Sequence, residues 1–271
     1  MCGIIGVSGD FLEADLVDAT SKLNHRGPDD SGTYFNQSDL IGFGHTRLAI
    51  LDLSSFGHQP MLSNDDNVIL IFNGEIYNFH DLKITLEKKG YLFKGTSDTE
   101  VVLNMYLEYG IDFLSMLNGI FAIAIFDRRT KNLYLARDAL GIKPLYYFLN
   151  DSLFSFSSEI KALLHLIPDD LKIDHDAIQM YLTFLWCPGE GTPAKEIRKV
   201  LPGEYLIIKS AKIVKRVTWY KLPQTKNNKK FTNIEETIKE VQLGLAKAVE
   251  RQLISDVPVG AFLSGGLDSS A

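Results

Sequence analysis

Four stretches in the middle of the chain, 120–127, 133–137, 145–148 and 153–157, are dense in β-branched and aromatic residues and are divided by turn residues. The segments that join them fall short of the roughly dozen residues that a parallel crossover requires, so these strands are expected to pair antiparallel. Gly3-Ile4-Ile5-Gly6-Val7, bounded by Gly9, reads as a further short strand that starts almost at the N-terminus. Strands are also expected at 46–53 and 68–72, the second a continuous apolar run of the kind buried on both faces, stopping at Asn73-Gly74. Leu16, Ala19 and Leu23 mark one helix face. Helices are expected at 81–89, closed by Gly90, and at 99–109, capped by Ser97 or Asp98 and closed by Gly110. The dense turn residues of 25–30 make a loop, 174–186 a helix and 204–219 a hairpin. Runs of strands with segregated helices give a layered α+β domain of two sheets with covering helices.

The composition changes after that hairpin. Residues 222–230 are polar and lysine-bearing, with no apolar pattern after Leu222, as in an exposed linker. A helix is expected after Thr232, where Ile234, Ile238, Val241, Leu245 and Val249 recur at helical spacing. A strand at 259–263 then runs into Ser264-Gly265-Gly266-Leu267-Asp268-Ser269-Ser270, and the sequence closes at Ala271 with no helix to complete the unit. The expected division is 1–220, a linker at 221–232, and 233–271 as the start of a second domain of a longer protein.

Net charge of -6 gives no electrostatic reason to expect nucleic acid or an anionic membrane as partner. Two cysteines, Cys2 and Cys187, are too few for a disulfide framework and fit a reducing compartment, by default the cytoplasm. No secretory signal or membrane-length apolar run is readable, and no Cys/His spacing resembles a zinc site, so no metal site is expected. Cys187, beside Trp186 and Pro188, reads as a structural thiol.

Cys2 is different because of its position. Removal of Met1 before a small residue leaves Cys2 with a free α-amine, whose usual pKa of about 7.7 to 8.0 suits proton transfer near neutral pH. Nucleophile and base then share one residue. A buried filler at a strand start is the ordinary alternative for a free cysteine. His25, His45 or His58 could instead form a Cys–His dyad, which the terminal amine makes unnecessary.

Met1-Cys2-Gly3-Ile4, His25-Arg26-Gly27-Pro28-Asp29, Arg47-Leu48-Ala49-Ile50, Asn73-Gly74-Glu75-Ile76-Tyr77-Asn78 and Ser97-Asp98-Thr99-Glu100 together resemble the class II glutamine amidotransferases, which are N-terminal-nucleophile hydrolases. Arg137-Asp138, Gly141-Ile142-Lys143-Pro144-Leu145-Tyr146 and Ser158-Glu159-Ile160-Lys161 extend the resemblance over most of residues 1–205. It implies a four-layer sandwich of two antiparallel sheets covered by helices, and a glutaminase that needs no cofactor. By the same resemblance Cys2 attacks the glutamine side-chain amide, and the Asn73 amide with the Gly74 N–H forms the oxyanion hole. Arg47 would grip the α-carboxylate and Asp98 the α-ammonium, with Glu75 and the Arg47, Leu48, Ala49, Ile50 and Leu51 backbone lining the pocket. Taken alone, Asn73-Gly74 would read as a hairpin turn and Asp98 as a helix cap.

Ser264-Gly265-Gly266-Leu267-Asp268-Ser269 resembles the PP-loop of α/β ATP pyrophosphatases, in which Leu263, Ser264, Gly265, Gly266, Asp268 and Ser269 would contact ATP. A glutaminase followed by a PP-loop is the order of glutamine-hydrolysing asparagine synthetases, which the whole chain resembles. That implies ATP and Mg²⁺ in the full-length enzyme, activation of aspartate as an acyl-adenylate, and its displacement by ammonia. Alternatives are a related amidotransferase acting on another carboxylate, such as a sugar-nucleotide or antibiotic precursor, and a non-catalytic binding scaffold. Glucosamine-phosphate synthases and phosphoribosyl amidotransferases share the first domain, but the PP-loop disfavours them. Oligomeric state is left open, a homodimer being one arrangement.

Overall fold

Alternation along β1 (Gly3–Gly9) divides its side chains between two cores. Ile4 faces inward with Phe43, Phe154 and Phe156, whereas Ile5 and Val7 face outward onto Leu16, Ala19 and Leu23. Gly6 lies where Phe43 and Phe156 meet edge to face, and a Cβ there would stand 2.4 Å from the Phe156 ring. The strand is fully buried. The computed structural model describes residues 1–168, 170–223 and 233–270.

β1 sits inside a six-stranded sheet with β2 (Asp30–Asn36), β3 (Ile41–Arg47), β8 (Tyr146–Leu149), β9 (Leu153–Ser157) and β10 (Ile197–Lys199), in the order β10-β8-β9-β1-β3-β2. A second six-stranded sheet holds β4 (Met61–Leu62), β5 (Val68–Ile76), β6 (Gly119–Asp127), β7 (Asn132–Arg137), β11 (Glu204–Lys209) and β12 (Lys212–Thr218), in the order β12-β11-β7-β6-β5-β4. Every strand pairing in both sheets is antiparallel, as the short connections dictate.

The inner core lies between the sheets, where Ile69, Ile71, Ala122, Ala124 and Leu206 meet Ile4, Phe43 and Phe156. α1 (Glu13–Ser21) and α4 (Ile160–Leu163) cover the outer face of the first sheet through Leu16, Ala19, Ala162 and Leu163. α2 (Phe79–Glu87) and α3 (Asp98–Tyr109) cover the second through Leu82, Leu86, Val101 and Met105, packed on Val68, Leu70 and Phe72. Each large apolar side chain so enclosed contributes about 1.5–3 kcal/mol. These layers are the expected helix-covered pair of sheets. α5 (His175–Phe184), with Asp174 as its cap, occupies the expected position.

Three expectations fail for identifiable reasons. The strand expected at 46–53 ends at Arg47, because the guanidinium of Arg47 draws the carbonyls of Leu51, Asp52 and Ser54 around itself and the chain curls, with Asp52 at φ 54°. β5 does not stop at Asn73-Gly74 but continues to Ile76, because β6 offers an unbroken partner that pairs Asn73 with Ala122 and Gly74 with Phe121. Long-range pairing overrides the local turn preference. No strand forms at 259–263, where no neighbouring strand pairs with it among the described residues and Phe262 and Leu263 are exposed.

β2 and β10 lie in segments to which the sequence assigned no element, β2 because its Asp-Ser-Gly-Thr start is polar on a half-exposed edge. α6 (Ile234–Gln252) matches the expected periodicity, is capped by Asn233, and has no buried residue. Most of the expected 221–232 linker, 224–232, lies outside the described residues, as does Ala271.

Candidate active site

Cys2 directly precedes β1, so its main chain is set by a strand paired on both sides, to β3 and β9. Ile4 N donates to Ser158 Oγ at 3.0 Å, and Ser158 N donates to Ile4 O at 2.9 Å. A brace from the surface reaches the Cys2 carbonyl. Arg26 Nε donates to Cys2 O at 3.0 Å, and Arg26 Nη1 donates to Glu159 Oε1 at 2.9 Å. His25 Nε2 lies 2.9 Å from that same carboxylate oxygen. Sequence reasoning quoted these residues within motifs without assigning them this work.

The thiol lies in the turn after β3: Sγ is 3.7 Å from Leu48 O and accepts from Leu48 N at 3.5 Å. Burial pushes the Cys2 thiol up, and the Leu48 N–H opposes that only in part. With Met1 in place the α-amine belongs to Met1, and burial lowers its pKa. Lys143 is buried close enough for the charges of Glu75 and Cys2 to act on its ammonium, yet burial still lowers its pKa.

Arg47, at the end of β3, is 7% exposed. Its Nη1 donates to Ser54 O at 3.0 Å, and its Nη2 donates to Leu51 O at 3.2 Å and to Asp52 O. The guanidinium fills the space a side chain at position 57 would need, with Nη2 1.9 Å from a Cβ built on Gly57. Asp98 is the first residue of α3 and not its cap; Ser97 Oγ takes that part by accepting from Glu100 N. Asp98 Oδ2 accepts instead from Ile76 N at 2.9 Å.

Glu75, half-buried, and Asp98, buried, lie close enough for their charges to interact. Burial, then the charge of Asp98, pushes the Glu75 carboxyl up to about 8. Burial pushes Asp98 up to about 6 against the hydrogen bonds it receives from the backbone N–H groups of Ile76 and Thr99. Such a pair titrates as a unit.

Beyond the two residues of β4, no strand among the described residues lies along the outer edge of β5. Alternate N–H groups of a strand leave the same edge. Along that edge Val68 N donates to Ser63 Oγ, Phe72 N to Gln59 Oε1 at 2.6 Å, and Ile76 N to Asp98 Oδ2 at 2.9 Å. By that alternation the Gly74 N–H leaves the same edge between the last two, and Gly74 lines the cavity that Cys2 also lines. Position 74 tolerates no side chain, since a Cβ would stand 2.3 Å from Ile120 O.

Cys2, Arg47, Leu48, Ile50, Leu51, Gly74, Glu75 and Asp98 line one cavity, together with Gln59, for which the sequence offered no role, and with Ser97 and Thr99, which it offered only as a helix cap and within a motif. Its volume is about 30 Å³, room for roughly two waters. Two expected residues are outside its lining. Ala49 donates its N–H to Asp29 Oδ2 at 2.8 Å, and Asn73, 1% exposed, directs its amide Nδ2 to Ser158 Oγ at 3.5 Å.

The histidines have other partners. His45 is fully buried, its ring 3.2 Å from Phe72 O and its pKa lowered to about 3 by burial, while His58 pairs with Asp30. Cys187 lies beside α5, its Sγ donating to Ala177 O at 3.4 Å. Leu263, Ser264, Gly265 and Gly266 form an exposed turn with Gly265 at φ +73°, and Asp268 and Ser269 belong to the short α7 (Leu267–Ser270). No helix among the described residues is long and apolar enough to cross a membrane.

The glutamine amidotransferase domain family matches residues 1–220, and the asparagine synthase family matches 240–271. Asparagine synthetase [glutamine-hydrolyzing] 1 of Bacillus subtilis is 40% identical over 280 residues, covering 100% of this chain and 43% of that protein. A putative asparagine synthetase [glutamine-hydrolyzing] 2 of Methanocaldococcus jannaschii is 37% identical over 292 residues, covering 100% and 56%. The chain thus spans about half the length of the curated relatives it matches. Among solved structures, glutamine phosphoribosylpyrophosphate amidotransferase of B. subtilis superposes with a TM-score of 0.60 at 23% identity, covering 80% of this chain and 49% of that one. That likeness is one of fold.

Proposed function

The chain belongs to the glutamine amidotransferase domain family, and from that premise we propose that Cys2, freed of Met1, hydrolyses glutamine to glutamate and ammonia. The observation that carries the reading is that Gly74, on the stretch of β5 past its short pairing with β4, lines the same cavity as Cys2. In this reading the α-amine of Cys2 takes the thiol proton, the sulfur attacks the amide carbon, and the oxyanion receives the Gly74 N–H and the Asn73 amide. The 3.5 Å contact of Asn73 with Ser158 is long for a hydrogen bond, so little is lost when the amide turns to substrate. The amine then protonates the departing ammonia, and water clears the thioester.

Arg47 takes the α-carboxylate, and Glu75 with Asp98 the α-ammonium. Leu48, Ala49, Ile50 and Leu51 supply the surrounding backbone. A glutamine analogue bearing an electrophilic diazoketone is expected to modify Cys2 and to be blocked by glutamine. Peptide mapping that finds the label on Cys187 alone would overturn the site.

The carboxylate pair gives the binding step a pH dependence. Burial and mutual repulsion disfavour full ionisation of the pair, and an α-ammonium is attracted to the ionised form. Glutamine affinity, read calorimetrically on the Cys2→Ala variant, is therefore expected to rise as pH climbs from about 6 to about 8. Glu75→Gln should flatten that rise. An identical profile in both proteins would refute the assignment.

Residues 221–232 link this glutaminase, 1–220, to the start of a second domain at 233–271. There the exposed turn at 264–266 and the start of α7 offer backbone N–H groups to the phosphates of ATP. The whole protein would use ATP and Mg²⁺ to amidate aspartate with the ammonia released, in the cytoplasm. Among the described residues no group of three or more His, Cys, Asp and Glu side chains is placed to hold a metal ion. Asparagine formation from aspartate and ATP by a chain extended to its relatives' length tests the acceptor. Amidation of a different carboxylate would favour the related amidotransferases.

A further inference from the structure

The turn that organises Arg47 is itself held from a distant part of the sequence. Asp256 Oδ2 accepts the backbone N–H of Asp52 at 2.7 Å, and Asp256 N donates to Ile50 O at 2.9 Å. The two bonds bracket Leu51, whose carbonyl, with that of Asp52, accepts from Arg47 Nη2. Asp52 occupies the left-handed region at φ 54°, and its own carboxylate fastens the turn from within, accepting from Ser54 N at 3.1 Å and from Thr96 N at 2.7 Å, while Asp256 holds the main chain from outside.

Asp256 is not needed to end α6, because Leu253 N already donates to Glu250 O. Ser255 Oγ fastens the segment internally, accepting from Val257 N at 3.1 Å and lying 2.9 Å from Val257 O. Ile254 packs on the core beneath α2 and α3, so this short stretch rests on the first domain through an apolar side chain as well as two hydrogen bonds. α6 has no buried residue, so it does not provide that anchorage.

We propose that Asp256 is a positioning residue for the glutamine pocket: by clamping the 50–52 turn it keeps Arg47 aimed at the glutamine α-carboxylate. The inference rests on the glutaminase reading above. The pocket's shape then depends on the placement of the segment leading into the 264–269 turn, so the two ends of the chain are mechanically linked.

The test uses the Met1-processed chain with Asp256→Ala and Asp256→Asn, the latter keeping a side-chain oxygen able to accept the Asp52 N–H. In Asp256→Ala the Asp52 amide should exchange hydrogen roughly tenfold faster or more, and the glutamine KM should rise roughly five- to tenfold with kcat within about twofold. Asp256→Asn should restore most of both. Unchanged exchange, faster exchange with unchanged KM, or a fall in kcat at constant KM would each overturn the proposal. A wild-type chain that binds no glutamine refutes the glutaminase reading instead, and amide exchange, measured without substrate, then decides the clamp by itself.

Discussion

Cys2→Ala is expected to lower glutamate release from glutamine by at least about 10⁴-fold while the chain stays folded. No other group can replace the sulfur: Cys187 lies beside α5, and His25, His45 and His58 are engaged with Glu159, Phe72 O and Asp30. Removing one partly buried sulfur leaves the β1 ladder intact, since Ile4 keeps its bonds with Ser158. A chain that retains Met1 should be as inactive as the variant, because its Cys2 nitrogen is an amide with no proton-accepting capacity near neutral pH. Glutamate release by Cys2→Ala at more than a few per cent of the processed wild type would remove the nucleophile from the scheme.

Asn73→Ala is the second large effect, a loss of about 10²- to 10³-fold in kcat with glutamine KM nearly unchanged. The reason for that split is that the Asn73 amide is outside the resting cavity and meets substrate only when negative charge develops on the carbonyl oxygen. The fold should tolerate the change, because the contact it removes is a single 3.5 Å hydrogen bond to Ser158. A rise in KM at constant kcat would instead make Asn73 a ground-state binding group, and parallel loss of folded protein would make it structural.

The sequence made the layers legible wherever apolar periodicity and short connections dictate them: β1, β6, β7, β9 and the buried faces of α1 and α3 follow directly. It misled at Asn73-Gly74, where local turn chemistry competes with a partner strand that begins only at Gly119. It misled again after Arg47, because a loop wound around one buried guanidinium has no period to read. The expectation at 259–263 failed for a third reason, since a strand exists only beside another strand.

For the site, the choice of Cys2, Arg47, Asn73, Gly74, Glu75 and Asp98 came from the resemblance of several motifs rather than from spacing. Ser97 shows the limit of local reasoning, since either it or Asp98 could have capped α3 and only the long-range bond from Ile76 to Asp98 separates them. The Arg26–Glu159 brace and the Asp256 clamp join residues more than a hundred positions apart, and no local pattern in the sequence announces such contacts.

β4 is only two residues long, and that brevity sets a limit on how far the protein can be stabilised. Extending it along β5 would complete the hydrogen-bond ladder and tidy a ragged sheet margin, a change that ordinarily strengthens a fold. Here it would give the Gly74 N–H a permanent carbonyl partner. In the proposed mechanism that would take the Gly74 N–H from the oxyanion, so selection for robustness and selection for turnover are opposed at this one margin.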